Sequence, residues 1–260
     1  MIVWFESLPI LASGPIVVGG FIVVTMVLSY LVDFVLPRDV RAQHNELAGF
    51  ILAVIGVVYA VLLAFVAIGA WERFEGAERS TYHEAGMITI VYRDAGSFPT
   101  GHKLRAALRA YVERVAFDEW PKMQRGERSV EARQTLEAVD LDVRQLPVNT
   151  PEEQSIQQRM LDAMDQALTD RDARISMDAT GINNVMWFVL VAGAFTTMAF
   201  TYLFGFKHTV MQQLMIGLLA FLIGLVLFMT LALDFPFRGA LTVGPEAFEN
   251  ALHVFTFIGP

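Results

Sequence analysis

Residues 47–70 of the chain, LAGFILAVIGVVYAVLLAFVAIGA, form an apolar stretch without Asp, Glu, Lys, Arg or His. A helix needs about 20 apolar residues to cross the hydrocarbon core of a bilayer. Three other stretches of comparable length are equally free of ionisable residues, at 7–32, 179–206 and 209–233. The sequence therefore predicts an all-α integral membrane protein with four transmembrane helices.

The composition agrees with this prediction and excludes several classes of function. Hydrophobic residues make up 55% of the chain, more than the ~45–50% of soluble domains. The formal net charge of −8 argues against a nucleic-acid partner, because phosphate binding requires a clustered basic surface. The chain has no cysteine and no HExxH, P-loop, GxGxxG or GxSxG motif. We therefore expect neither an enzyme nor a bound metal or cofactor.

The order of apolar and polar stretches divides the chain into four segments. They are a first transmembrane pair at 1–71, a helical extramembrane domain at 72–178, a second transmembrane pair at 179–234 and a short tail at 235–260. Four spans place both termini and the domain 72–178 on one side of the membrane.

Flanking charges indicate which side this is. The first span has no Lys or Arg before it and is followed by Arg38 and Arg41. The positive-inside rule therefore predicts an extracytoplasmic location for residues 72–178. Four arginines beside the membrane on the domain side favour the opposite orientation: Arg73, Arg79, Arg171 and Arg174.

Residues 72–178 carry helical signals at both ends. No proline lies between Pro37 and Pro99, so the second span is expected to continue as one helix to Gly96. The string Thr150-Pro151-Glu152-Glu153 is a capping box with proline at the first helical position, which predicts a helix start. Because no further proline precedes Pro236, that helix is expected to continue into the third span, with a bend at Gly181-Ile182-Asn183-Asn184.

Small residues recur along the second span at intervals of three or four. They are Gly49, Ala53, Gly56, Ala60, Ala64 and Ala67. A helix face of small side chains lets neighbouring helices approach closely. Two interpretations are open: the face packs against another span of the same chain, or it meets other copies around an axis and lines a narrow apolar pore. An apolar constriction of that kind can gate conduction by dewetting.

Three ionisable residues stand near one end of the first two spans. They are Asp33, His44 and Glu46. In an oligomer they form rings at a pore mouth, where charge influences ion selectivity. The alternative is local, because Asn45 and Glu46 also suit the N-terminus of a helix as cap and as favourable charge.

Several longer strings are distinctive. They include His44-Asn45-Glu46-Leu47-Ala48-Gly49-Phe50, Glu119-Trp120-Pro121, Thr201-Tyr202-Leu203-Phe204-Gly205, Leu233-Asp234-Phe235-Pro236-Phe237-Arg238-Gly239 and Gly244-Pro245-Glu246-Ala247-Phe248. Across nearly the whole chain the sequence resembles the bestrophin-like family of bacterial membrane proteins. The resemblance implies an oligomeric anion channel in the bacterial inner (plasma) membrane. The sequence lacks the Arg-Phe-Pro hallmark and the C-terminal acidic calcium clasp of true bestrophins, so calcium gating is not implied.

We expect a homo-oligomeric ion channel in which the second spans surround the axis. Its partners are the lipid bilayer, other copies of the chain and small inorganic ions. The acidic mouth favours cations whereas the resemblance implies anions, so the sequence leaves the ion open. The alternative function is a non-conducting membrane scaffold or sensor whose helical domain binds a partner.

Overall fold

The computed structural model describes residues 10–127, 129–206, 208–239 and 241–259, with residues 10, 11, 38 and 39 described by their backbone only. Within these ranges the regular secondary structure is entirely helical, which confirms the all-α prediction. The elements are α1 Ile10–Val35, α2 Arg38–Ala42, α3 Asn45–Ala95, α4 Gly101–Arg114, a π-helical turn Val115–Glu119, α5 Trp120–Gln124, α6 Val130–Arg144, α7 Pro151–Ala179, α8 Asn184–Tyr202, α9 Thr209–Leu233 and α10 Glu246–Ile258.

Four of these helices are long and apolar enough to cross a bilayer, namely α1, α3, α8 and α9. This confirms the four predicted spans. The second span continues as expected, because α3 is a single helix of 51 residues that ends at Ala95. The chain turns sharply after it, and a Cβ atom at Gly101 would lie 1.7 Å from the carbonyl oxygen of Ala95. Only glycine fits that turn without backbone movement.

The start of α7 confirms the predicted capping box. The Thr150 hydroxyl accepts a hydrogen bond from the Glu153 backbone N–H at 3.1 Å, and the Glu153 carboxylate accepts from the Thr150 N–H at 3.3 Å. The predicted continuation into the third span is wrong. Thr180 has an extended backbone, and the Asn183 side chain accepts from the Val185 N–H at 2.9 Å. The expected bend is thus a complete break at which Asn183 caps a new helix.

The chain forms two compact units, the first of which comprises Met1–Glu72 and Ile182–Asp234. In this unit α1 packs along α9. Glycines permit the close approach, since a Cβ on Gly14 would lie 3.3 Å from the Phe228 ring and one on Gly224 would lie 3.4 Å from Val18. The α1–α9 contact therefore depends on small residues outside the small-residue face of the second span.

Span α3 contacts α8 through one large side chain. The Tyr59 hydroxyl donates to the Leu190 carbonyl at 3.2 Å. A Cβ on Gly193 would lie 2.6 Å from the Tyr59 ring. The tyrosine therefore occupies the space that the glycine leaves open.

The second unit comprises Arg73–Gly181 and Phe235–Pro260. Its core contains large buried side chains from several helices: Leu108, Tyr111, Trp120, Leu136, Met160, Phe237 and Phe248. Helix α10 adds Phe255, whose ring stacks on that of Tyr92 with centroids 3.8 Å apart. Residues of the tail after the fourth span therefore complete the core of this unit.

Candidate functional site

The small-residue face of α3 is largely uncovered within its own unit. Ala53, Ala60 and Ala64 are exposed, Gly49 and Gly56 are partly buried, and Ala67 is buried. A Cβ on Gly56 would meet no described heavy atom within 4 Å, whereas one on Gly49 would lie 3.8 Å from the Phe204 ring. Among the described residues, the middle of this face thus has no helix packed closely against it.

Larger apolar side chains on the membrane part of α3 are exposed as well. They are Val54, Val57, Val58, Val61, Leu62 and Phe65. A contiguous apolar surface of this kind marks contact with lipid or with another protein surface. Span α3 therefore has both a small-residue face and larger apolar positions available for such contacts.

Asp33 is neutralised by an ion pair within the chain. Its carboxylate lies 2.5 Å from the guanidinium of Arg41, and both side chains are buried. Arg41 also donates to the Tyr202 carbonyl at 2.7 Å. The sequence alone does not indicate this pair, because the turn that brings Asp33 and Arg41 together contains Pro37 and is not a continuous helix.

His44 and Glu46 lie together at the start of α3. Both are exposed and line an open depression of about 460 Å³ with Gln43, Leu47 and Phe50. The imidazole of His44 donates from Nδ1 to the Val40 carbonyl at 3.0 Å. The structure thus places two of the three predicted mouth residues beside each other, while the third is held by Arg41.

Asn45 links the start of α3 to the connection after α8. Its side-chain amide donates to the Gly205 carbonyl and accepts from the Gly205 N–H, each at 3.0 Å. A side chain that bonds a distant backbone in this way is not capping its own helix. In the structure the Asn45 side chain therefore bonds Gly205 and does not act as the predicted helix cap.

The second unit contains a buried cluster of four charged side chains that the sequence analysis did not predict. Arg171 donates two hydrogen bonds of 2.6 Å to the two oxygens of Glu119. Arg174 donates to Glu84 at 2.8 Å and to Glu119 at 2.9 Å. The Tyr111 hydroxyl donates to Glu84 at 2.5 Å. The two negative charges of the carboxylates are therefore matched by the two positive charges of the guanidinium groups.

The charge states in this cluster follow from their surroundings. Burial acts to raise the pKa of Glu119, but the hydrogen bond from Arg171 and the charges of Arg174 and Arg171 outweigh it and hold that pKa below its ordinary value. Burial and the neighbouring charge of Glu84 raise the pKa of Tyr111 well above its usual range. At neutral pH the carboxylate of Glu119 is ionised and the phenol is protonated, which suits a structural ion-pair network.

The π-helical turn positions Glu119 and Trp120 toward this core. A π-helical turn closes hydrogen bonds one residue later than an α-helix and so shifts which side chains face inward. The Trp120 ring lies edge-on to the Phe237 ring, with centroids 5.6 Å apart. The guanidinium carbon of Arg174 lies 5.1 Å from the centroid of the Trp120 ring. The indole N–H of Trp120 donates to the Val243 carbonyl at 3.2 Å. Within the described ranges, no group of three or more His, Cys, Asp or Glu side chains could hold a metal ion.

Comparison with known proteins identifies the family. The family described as the Bestrophin-like domain matches residues 19–248. The chain belongs to the bestrophin-like family. None of the curated proteins matches the sequence.

Solved structures with a similar fold include bacterial bestrophin homologues. The homologue from Klebsiella pneumoniae solved by zinc phasing is 15% identical, with a TM-score of 0.65, covering 92% of this chain and 100% of its own. A point variant of the Klebsiella pneumoniae homologue is 14% identical, with a TM-score of 0.66, covering 90% and 96%. At such identities the likeness is one of fold.

Residues from the distinctive sequence strings contact one another within each unit of this bestrophin-like protein. In the first unit the side-chain amide of Asn45 forms two hydrogen bonds with the backbone of Gly205, one as donor and one as acceptor. In the second, Trp120 contacts Phe237 and Phe248, with ring centroids 5.6 and 5.7 Å apart. The distinctive strings therefore include residues that anchor one part of the chain to another.

Proposed function

We propose that this bestrophin-like protein assembles as a homo-oligomer in the bacterial plasma membrane and conducts small inorganic ions. Family membership and fold support a channel in general terms. The observation that carries the proposal is that Ala53, Ala60 and Ala64 on span α3 are left exposed by the rest of their own chain. Copies arranged around an axis bring these faces together.

The small side chains set the character of the pore. Apolar burial drives little association between helices already in lipid, so close backbone approach and dispersion contacts contribute much of it. The centre of the face, at Gly56 and Ala60, defines a narrow apolar path. Such a path can switch between wet and dry states, which gates ions without a moving plug.

Selectivity in this proposal depends on the mouth. Because Arg41 neutralises Asp33, Glu46 is the mouth carboxylate left exposed, beside His44. A ring of glutamates favours cations. The family resemblance favours anions, so the two arguments give opposite expectations that a flux measurement decides.

Residues 72–178 form the helical extramembrane domain of the proposed channel, on the extracytoplasmic side. The first span is preceded by no basic residue and followed by Arg38 and Arg41, which supports this orientation. Among the arginines that favour the reverse orientation, Arg171 and Arg174 are paired with carboxylates inside the second unit.

Flux through liposomes tests the proposal. Purified protein is reconstituted, and potassium and chloride efflux are compared with those from empty liposomes. We expect flux of at least one ion, and its loss in Ala60→Trp, which fills the apolar path. The control is Val210→Trp, which places the same bulky side chain at an exposed position on α9 and should conduct normally. A folded oligomer that passes neither ion supports the scaffold function instead.

A further inference from the structure

Helix α4 has an exposed face that is basic and has small residues at its centre. The helix contains four Lys and Arg residues and one Glu. Lys103 and Arg114 are exposed near its two ends, and Ala106 and Ala110 are exposed between them. Phe117, in the π-helical turn that follows, has 65% of its surface exposed. Because aromatic and arginine side chains are enriched at protein interfaces, this face has the composition of a contact surface.

The positive charge of the α4 face has few partners within the chain. Arg109 lies 3.8 Å from Glu113, the single acidic residue of the helix. Among the described residues, no carboxylate lies within salt-bridge distance of Lys103 or Arg114. An excess of one sign of charge on an exposed surface attracts a surface of the opposite sign. The α4 face therefore fits an acidic partner.

An acidic surface of this kind occurs on the same chain. Helices α6 and α7, which pack against each other, contain eleven Asp and Glu residues and five Arg. The exposed face of α7 includes Gln158, Asp162, Asp165, Thr169 and Asp172. Arg144 of α6 neutralises this face only in part, because it lies 2.8 Å from Asp140 of its own helix and 3.5 Å from Asp165. Arg133 is shared between the two helices in the same way, so a negative excess remains on α7.

The two faces suit a ring of identical copies. In a ring of more than two copies, each contact joins two different faces of the chain, one from each neighbour. The α4 and α7 faces lie on different helices and carry opposite charge. Their charged stretches also match in length, since Lys103 and Arg114 are about 16 Å apart along α4, and Asp162 and Asp172 are about 15 Å apart along α7. One copy can therefore present the basic face and the next copy the acidic face.

We propose that the basic face of α4 in one copy binds the acidic face of α7 in the next copy. This inference rests on the homo-oligomer of the proposed function and names a contact that its second unit makes. Exposed ion pairs add little affinity individually. Their main effect is to orient the copies head to tail and to reject contacts between faces of like charge.

Cross-linking between copies tests the contact directly, because the chain has no cysteine of its own. Two full-length variants with different tags, Ala110→Cys and Thr169→Cys, are co-expressed, and their membranes are treated with a flexible bifunctional maleimide. Both residues are exposed on their faces. We expect covalent dimers that contain both tags, and few dimers when every copy carries the same cysteine. In the matched control Thr256→Cys, exposed on α10, replaces Thr169→Cys and should give few mixed dimers.

Charge reversal gives a second measurement that does not depend on cross-linking. Lys103→Glu combined with Arg114→Glu should weaken the association of detergent-solubilised copies about tenfold, because attraction between the faces becomes repulsion. Asp162→Lys combined with Asp165→Lys should have the same effect. All four changes in one chain should restore association, since the two faces are again opposite in charge. Light scattering on dilution measures the concentration at which the oligomer dissociates.

The outcomes separate this contact from the proposed function. Mixed dimers, together with restored association in the fourfold variant, support the proposal. An oligomer that gives no mixed dimers, or in which Ala110→Cys couples only to itself or to a different protein, overturns the contact and leaves the proposed channel standing. Glu75→Lys combined with Glu78→Lys makes the same change of charge at exposed positions on α3, and an equal weakening there also overturns the contact. A chain that is monomeric by mass overturns both the contact and the proposed function.

Discussion

Arg174 and Glu84 form an ion pair in which both side chains are fully buried, with Nε of the arginine 2.8 Å from Oε2 of the glutamate. The same guanidinium reaches Glu119, which also pairs with Arg171. Neither carboxylate can reach water to recover its hydration. Each member of the cluster therefore depends on the others to remain charged inside the second unit.

Replacing Arg174 with Met should lower the free energy of unfolding of this unit by about 3–5 kcal/mol, because two buried carboxylates lose a partner. Chemical unfolding followed by tryptophan fluorescence measures the change, since Trp120 lies beneath the same guanidinium. The control is Arg144→Met, which breaks a half-exposed pair with Asp140 and should change stability by about 1 kcal/mol or less. Equal losses in the two variants would contradict the structural role of the cluster.

Acid should weaken the same unit through Glu119. Its pKa in the folded protein is held below the ordinary 4.5, so its stabilising contribution is fully present above that value. The contribution is lost as the pH falls from about 4.5 through the lower folded pKa. Unfolding temperatures measured from neutral to acidic pH should fall in this window, and less steeply in Glu119→Gln. Identical slopes for both proteins would show that Glu119 is not responsible.

How much the sequence predicts depends on how local the signal is. The four spans and the start of α7 follow from hydropathy and from Thr150 and Glu153, which are three residues apart, and they were predicted. The Glu84–Arg174 pair joins residues 90 positions apart, and no periodicity indicates that a glutamate on one helix faces an arginine on another. The sequence predicts only a bend at Asn183, because the same residue types, Gly and Asn, occur both at helix kinks and at helix N-caps.

The candidate pore face shows the same limit. The spacing of Ala53 and Ala60 identifies a small-residue face, but spacing alone does not say whether a neighbour covers it. In the structure Ala53 and Ala60 are exposed. Close packing between α1 and α9 occurs instead at Gly14 and Gly224. Glycines in those spans were visible in the sequence, but which of them face another helix depends on tertiary packing.

Gly56→Leu should disrupt assembly of the oligomer. Within one chain a Cβ at Gly56 meets nothing within 4 Å. The leucine side chain therefore causes a steric clash only if another copy packs against this position. Molecular mass in detergent, measured by light scattering, should shift toward smaller species. Gly20→Leu is the matched control, because Gly20 on α1 is equally open, and its oligomer should persist. An unchanged mass for Gly56→Leu would place the face against lipid.

Membrane orientation can be read with a single cysteine, because the chain has none. Ala138 is exposed on α6 of the second unit, so Ala138→Cys leaves the core intact. A membrane-impermeant maleimide applied to intact cells should label this variant, as expected for an extracytoplasmic domain. Labelling that requires permeabilised cells would place the domain in the cytoplasm instead.

The most direct test of the channel account is current through planar bilayers containing Ala60→Cys, before and after a charged, water-soluble thiol reagent. Ala60 is exposed at the middle of the candidate pore face, and the unmodified chain has no cysteine to react. We predict a measurable current that falls sharply on modification, while the current of the unmodified protein is unaffected by the reagent. Absence of any current, or a current that the reagent leaves unchanged, would contradict a pore lined by α3.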